Sequence, residues 1–210
     1  LGAGPAIAAA LGLTAVALAL ALRLGRGFLI CLAIYLALNV LYSLALKRLV
    51  ILDVMTIALG FVLRVEAGAL AIAVEVSSWL LLCTTFVALF LGFAKRRHEL
   101  ALQPQSGTGT RSVLEHYNLT FVDQMINVVT ASTIVSYALY TVDPGTAARL
   151  GTPHLIVTVP LALYGIFRFL FLLYQRPDRQ SPTDAILHDP PFLINLALWG
   201  LAVVFLIYGL

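Results

Sequence analysis

The sequence predicts an all-α protein that crosses a membrane several times. Hydrophobic residues make up 61% of the 210 residues and charged residues 11%, whereas a soluble domain has about 45–50% and 25%. The long apolar runs lack the two-residue alternation of a transmembrane barrel, and in lipid the backbone can be satisfied only by helices or closed barrels. We therefore expect a polytopic transmembrane helical bundle.

Seven segments meet the length of about 20 apolar residues that a bilayer requires. We predict spans at 5–22, 28–46, 51–74, 78–94, 119–140, 154–174 and 192–209, in one domain over residues 1–210. The loops on one side carry most of the basic residues, including Lys47, Arg48, Lys95, Arg96 and Arg97. The positive-inside rule makes that side cytoplasmic, and we expect a multi-pass protein of the cell's inner (plasma) membrane.

The second predicted span carries a polar stripe that leads to its basic end. Tyr35, Asn39 and Tyr42 follow one another at three- and four-residue steps and point towards Lys47. Such a stripe either forms hydrogen bonds between helices or binds a ligand. For Lys47, at the end of the stripe, we favour ligand binding.

The third predicted span combines charged and small residues on nearly one face. Asp53 and Arg64 are eleven residues apart on that face, which is about three turns, and Gly60 and Gly68 would admit a close neighbour. An arginine facing lipid in mid-membrane costs about 2.5–3.5 kcal/mol. We therefore expect Arg64 to point into a polar cavity or to pair with a carboxylate, a structural pair with Asp53 being the alternative.

A polar segment over residues 92–118 interrupts the apolar pattern after the fourth span. Its basic cluster could simply anchor a helix end at the lipid headgroups. However, a flexible Pro/Gly/Ser/Thr link follows, and Ser112 with Glu115 forms a capping-box pattern that starts the fifth helix. These features favour a cytoplasmic active-site loop over residues 95–118.

Polar residues continue into the fifth and sixth spans. Asp123 and Asn127 lie one turn apart in the fifth span, and Tyr164 and Arg168 lie one turn apart in the sixth. Membrane helices rarely carry such side chains without a partner or water. We expect a wet cavity beneath the loop, with simple packing as the alternative.

Several of these stretches resemble a known family. They are Tyr42-Ser-Leu-Ala-Leu-Lys47-Arg48, Asp53, Gly60-Phe-Val-Leu-Arg64, Gly92-Phe-Ala-Lys95-Arg96 with Glu99, Arg111-Ser-Val-Leu-Glu115-His-Tyr117, and Arg168-Phe. In them the chain is similar to the UbiA superfamily of intramembrane transferases. Within that superfamily it resembles the branch that transfers phosphoribosyl groups to polyprenyl phosphates such as decaprenyl phosphate.

The resemblance implies nine transmembrane helices and two cytoplasmic loops that hold Mg²⁺ and a diphosphate. The seven predicted spans would be the last seven, so the first Asp-rich loop, with the main Mg²⁺ ligands, is expected upstream of Leu1. Residues 1–210 alone would then be inactive. Family members that bind a prenyl diphosphate generally carry an Asp pair in the second loop, whereas no Asp occurs between Lys95 and Asn118.

The basic second loop suits phosphoribosyl diphosphate, because its extra 5-phosphate would bind cationic side chains. The resemblance therefore implies transfer of phosphoribosyl from that donor to a polyprenyl phosphate at the bilayer. We assign catalytic roles to Asp53, Glu99 and Glu115, with Asp53 also a Mg²⁺ ligand. The predicted substrate-binding residues are Tyr42, Lys47, Arg64, Lys95, Arg96, Arg111, Tyr117 and Arg168, with Arg64 or Arg168 on the acceptor phosphate.

Two other functions compete with this one. A prenyltransferase of the same superfamily would move a prenyl group from a prenyl diphosphate to an aromatic acceptor, but the missing Asp pair argues against it. A transporter or a non-catalytic membrane subunit would favour internal repeats or broken helices, and the sequence contains no convincing example. The basic residues lie at helix ends without interleaved aromatics, so nucleic-acid binding is not expected, and no oligomeric state is predicted.

Overall fold

The computed structural model of the protein describes residues 3–102, 117–175 and 182–209, and all regular elements in these ranges are helical. The α-helices are α1 (Ala3–Leu24), α2 (Arg26–Leu44), α3 (Leu52–Ala71), α4 (Ser78–Ala101), α5 (Leu119–Val142), α6 (Pro144–Leu150), α7 (Val159–Gln175), α8 (Pro182–Leu187) and α9 (Pro190–Tyr208). Short 3-10 helices cover Leu46–Arg48 and His154–Thr158.

The predicted bundle of membrane-spanning helices is confirmed. Within the described ranges, seven helical segments are long and apolar enough to cross a bilayer, and each overlaps one of the seven predicted spans. The sixth segment begins with the 3-10 turn before α7. The protein is therefore a polytopic all-α membrane protein.

The structure moves one predicted boundary by more than three residues and locates the start of the fifth helix. The fourth helix does not end at residue 94 but continues to Ala101, so Lys95 to Glu99 lie on its last two turns. The fifth helix begins at Leu119, and the side chain of Asn118 caps it by accepting a hydrogen bond from the Phe121 backbone N–H at 2.7 Å. Of the active-site loop predicted over 95–118, residues 103–116 lie outside the described ranges. Those include the capping box.

Neighbouring helices in the chain pack side by side. Helix α3 lies between α2 and α4, α4 packs most extensively on α5, and α7 contacts both α5 and α9. Helices α1 and α2 are peripheral, and α2 has no buried residue. Their exposed apolar side chains fit a lipid environment, because lipid tails are as apolar as these side chains and exposure to them carries no hydrophobic penalty.

A cluster of buried apolar residues lies where α3, α4, α5 and α7 meet. It contains Val54, Phe93, Ile126 and Phe169 among its buried members. Gly92 permits the close approach of α4 to α3, because a Cβ at this position would lie 2.5 Å from Val54 Cγ1. Since Val54 follows Asp53 directly, this contact also fixes the backbone that carries the Asp53 carboxylate.

Candidate functional site

A buried ion pair joins the first turn of α3 to the last turns of α4. Arg96 donates from Nε to Asp53 Oδ2 at 2.7 Å and from Nη1 to Glu99 Oε2 at 2.6 Å. Arg96 is 2% exposed and Asp53 is fully buried, whereas Glu99 keeps 25% of its side chain exposed. The guanidinium is therefore shielded from solvent and neutralised by two carboxylates.

Tyr117 completes this cluster from the chain that leads into α5. Its hydroxyl donates to Asp53 Oδ1 at 2.8 Å and accepts the backbone N–H of Ile51 at 2.6 Å. Burial raises the pKa of Tyr117 above its ordinary value, so the phenol stays neutral and keeps the proton that it donates. Both oxygens of Asp53 are thus occupied by protein donors.

Ile51 itself has a strained backbone. Its φ is 70° and its ψ is −48°, and the Leu52 N–H bonds to the Val50 carbonyl at 2.8 Å, which defines a γ-turn centred on Ile51. A β-branched residue is a true outlier at positive φ. Such a conformation costs on the order of 1–3 kcal/mol and persists where surrounding structure imposes it.

Two exposed lysines are close in the chain to members of this cluster. Lys47 belongs to the 3-10 helix that precedes Ile51, and Lys95 is adjacent in the chain to Arg96. Neither lysine forms an ion pair within the described residues. We call the group of Lys47, Asp53, Lys95, Arg96, Glu99 and Tyr117 the basic end of the bundle.

Arg64 lies in a small polar cavity between α2 and α3. It donates from Nη2 to the Tyr35 hydroxyl at 2.6 Å, and its guanidinium lies over the Tyr35 and Phe61 rings at 5.2 and 4.9 Å from their centroids. The cavity, of about 120 Å³, is also lined by Asn39 and Tyr42. Of the two expectations for Arg64, the structure shows the polar cavity, because Asp53 pairs with Arg96 instead.

Arg168, the other predicted contact for an acceptor phosphate, is already engaged. Its Nε and Nη2 bind the two carboxylate oxygens of Asp189 at 2.9 and 2.8 Å. Asp189 in turn caps α9 by accepting the Phe192 N–H. The geometry gives Arg168 a role in holding α9 against α7.

A second ion pair at the same end was not anticipated from the sequence. Arg97 Nε donates to Asp123 Oδ1 at 2.7 Å, and the Arg97 guanidinium lies 4.2 Å from the centre of the Tyr174 ring. The Tyr174 hydroxyl also donates to Asp123 at 3.1 Å. Asp123 therefore has the partner that an intramembrane carboxylate needs. The position of Asp123 one turn into α5 was the feature of the sequence that could have indicated such a partner.

The assignment of Asp53 as a metal ligand stays a prediction. Within these ranges, no group of three or more His, Cys, Asp or Glu side chains could hold a metal ion. Asp53 is fully buried, and Arg96 and Tyr117 each donate a hydrogen bond to one of its two oxygens. Two other predicted site residues, Arg111 and Glu115, lie outside the described ranges.

Comparison with known proteins supports the family resemblance. No protein-family model matches the chain. A decaprenyl-phosphate phosphoribosyltransferase of Corynebacterium glutamicum is 28% identical over 178 residues, which are 84% of this chain and 53% of that protein. The protein of the same name from Mycolicibacterium smegmatis is 32% identical over 111 residues, 53% of this chain and 35% of that protein.

The chain is similar to proteins named decaprenyl-phosphate phosphoribosyltransferase from three organisms. A third protein of that name, from Mycobacterium tuberculosis, is 28% identical over 134 residues, 64% of this chain and 44% of that protein. The resemblance drawn from the sequence is therefore confirmed. The chain spans about half the length, or less, of these relatives.

Proposed function

We propose that the protein transfers a 5-phosphoribosyl group from phosphoribosyl diphosphate to a polyprenyl phosphate and releases diphosphate. The observation that carries the proposal is the similarity to three transferases named for this reaction. The basic end supports it, since its exposed lysines suit a donor with phosphates at two positions. In this proposal the basic end faces the cytoplasm.

The reaction needs no nucleophile from the protein. A phosphate oxygen of the lipid forms a bond to C1 of the ribose, and the bond from C1 to the diphosphate oxygen breaks with its electron pair leaving on diphosphate. Positive charge develops on the ribose and negative charge on the leaving group. Cationic side chains at the leaving group therefore stabilise the transition state more than the ground state.

In this proposal the basic residues have two roles. Lys47 and Lys95 are exposed and unpaired within the described residues, so we assign them to donor phosphates. Arg96 was predicted to bind phosphate, but its charge is already neutralised by Asp53 and Glu99. In this proposal, Arg96 and Asp53 position the helix ends that carry the lysines.

Arg64 is the better candidate for the acceptor phosphate. It lines a polar cavity, whereas Arg168 binds Asp189 through two hydrogen bonds. The eleven residues from Asp53 to Arg64 correspond to about 16 Å along α3. For transfer to occur, the donor must then extend along α3 from the basic end towards Arg64.

A Mg²⁺ requirement stays a prediction. Mg²⁺ would neutralise the charge on the leaving diphosphate, but the described residues offer no ligand set for it. The donor's phosphates supply oxygen ligands of the kind that Mg²⁺ prefers. In this proposal the protein's own residues position the substrates and supply cationic charge to the donor's phosphates.

A mass-spectrometric product assay tests the proposal. The intact protein expressed from its natural gene is incubated in lipid with Mg²⁺, phosphoribosyl diphosphate and polyprenyl phosphate, and in parallel with a prenyl diphosphate and an aromatic acid. We expect a polyprenyl-phosphoribose product in the first reaction. A prenylated aromatic acid in the second, with no product in the first, would show that the donor is misassigned.

A further inference from the structure

The turn between α2 and α3 depends on one side chain that is distant in sequence. Ile51 adopts φ 70°, a region that Ile rarely occupies. Its N–H cannot bond within a helix, because it lies before the first residue of α3. The Tyr117 hydroxyl accepts that N–H at 2.6 Å across 66 residues of sequence.

The other bond of Tyr117 makes this anchor rigid. The hydroxyl donates to Asp53 Oδ1, and Asp53 is held in turn by Arg96. Tyr117 is 6% exposed, so it is packed inside the core and not presented at the surface. One hydroxyl thus fixes both the strained residue and the buried carboxylate two positions later.

The turn also sets the direction of the chain that carries basic residues. Lys47 and Arg48 end the 3-10 helix, and Leu49 and Val50 lead from it into Ile51. A change of φ at Ile51 from positive to negative would redirect this whole link relative to α3. Exposed lysine side chains are flexible, so their backbone position decides what they can reach.

We propose that Tyr117 is a positioning residue that holds the Ile51 turn in its strained form and thereby places Lys47 for the donor's phosphates. This inference rests on the proposed phosphoribosyl transfer. It also changes the predicted role of Tyr117, because a buried hydroxyl with one bond accepted and one donated has no need of a substrate contact.

A glycine at position 51 separates this role from general stabilisation. Glycine adopts positive φ without a Cβ clash, so Ile51→Gly should retain the turn even when Tyr117 no longer holds it. Ile51 is 39% exposed, and loss of its side chain removes little core. Rescue of Tyr117→Phe by Ile51→Gly would therefore report on the turn itself.

The experiment compares the natural protein, Tyr117→Phe, Ile51→Gly and the double variant. Steady-state kinetics give KM for phosphoribosyl diphosphate and for polyprenyl phosphate. We expect Tyr117→Phe to raise the donor KM by roughly 10- to 100-fold, since misplacement of about 1 Å has effects of that size, while the acceptor KM changes little. The double variant should recover most of the donor affinity.

Hydrogen exchange without substrates tests the turn independently of the reaction. We expect the amides of residues 47–55 to exchange faster in Tyr117→Phe and to slow again in the double variant. Unchanged exchange in Tyr117→Phe would overturn the proposal, as would a double variant that is unfolded or no better than Tyr117→Phe. Restored exchange without any phosphoribosyl transfer would uphold the turn and reject the proposed reaction.

Discussion

Arg96 Nε lies 2.7 Å from Asp53 Oδ2, and the two side chains are 2% and 0% exposed. Burying two charges costs several kcal/mol for each ion, and here the cost is offset by further bonds from Arg96 to Glu99 and from Tyr117 to Asp53. The pair joins α3 to α4, and the exposed Lys95 directly precedes Arg96 in the chain. Its structural value can therefore be separated experimentally from direct substrate binding.

The first prediction concerns the stability of this pair. Asp53→Leu or Arg96→Met should each lower the free energy of unfolding by about 3–5 kcal/mol, because the first leaves the buried Arg96 with Glu99 alone and the second leaves the buried Asp53 carboxylate without a cation. The double variant Asp53→Leu with Arg96→Met should be more stable than either, since it buries no ion. Thermal unfolding in detergent, followed by far-ultraviolet circular dichroism, measures this. A double variant with additive losses would contradict the interpretation.

The second prediction concerns the close contact of α4 with α3. Gly92→Ala places a methyl group 2.5 Å from Val54 Cγ1, and such overpacking typically costs about 1–3 kcal/mol. Val54→Ala should restore part of the loss, because it removes the clashing methyl groups. The four-variant cycle of unfolding free energies gives the coupling between the two positions.

Gly68→Ala is the matched control for this cycle. Gly68 also lies in a membrane-spanning helix, but a Cβ there meets nothing within 4 Å. Alanine favours helix over glycine by about 1 kcal/mol, so Gly68→Ala should keep or increase stability. Equal destabilisation by Gly92→Ala and Gly68→Ala would mean that the contact with Val54 is not the cause.

Hydropathy alone placed the spanning helices. Crossing a bilayer requires a run of about 20 apolar residues, and such a run is visible in the sequence without any knowledge of tertiary contacts. For the basic end, the sequence predicted which residues take part but not which side chains pair with one another. Asp53 and Arg96 were both named, yet their pairing spans 43 residues and leaves no local periodicity. Instead, the sequence suggested a metal for Asp53 and a phosphate for Arg96.

The conformation of Ile51 was beyond sequence reasoning for a different reason. Positive φ is favoured by glycine and asparagine and disfavoured by β-branched residues. Here a tertiary hydrogen bond to the Tyr117 hydroxyl overrides that preference. A strained residue next to candidate binding groups is where local rules are expected to fail.

The third prediction separates the exposed lysines from Arg96. Lys95→Gln or Lys47→Gln should raise the donor KM by about 10- to 100-fold, since a hydrogen bond to a charged group contributes about 1.5–3 kcal/mol. Neither change should alter the free energy of unfolding, because both side chains are exposed. Arg149→Gln, in the last turn of α6, removes a charge elsewhere and serves as the control. A fall in thermal stability with unchanged KM would rule out the assignment.

The fourth prediction assigns the acceptor to Arg64. Arg64→Gln should raise the KM for polyprenyl phosphate by about 10- to 100-fold and leave the donor KM unchanged. Stability should hold, because Arg64 is exposed and its interactions are one hydroxyl and two ring faces. Tyr35→Phe removes that hydroxyl while keeping the ring, so it should give a smaller change in the same direction.

The control for Arg64 is Arg23→Gln, an exposed arginine in the last turn of α1 to which the proposal gives no role. It should leave both KM values unchanged. A rise in the donor KM with Arg64→Gln would move the donor into the cavity between α2 and α3. The acceptor phosphate would then have to be sought at the basic end, and the direction of transfer along α3 would be reversed.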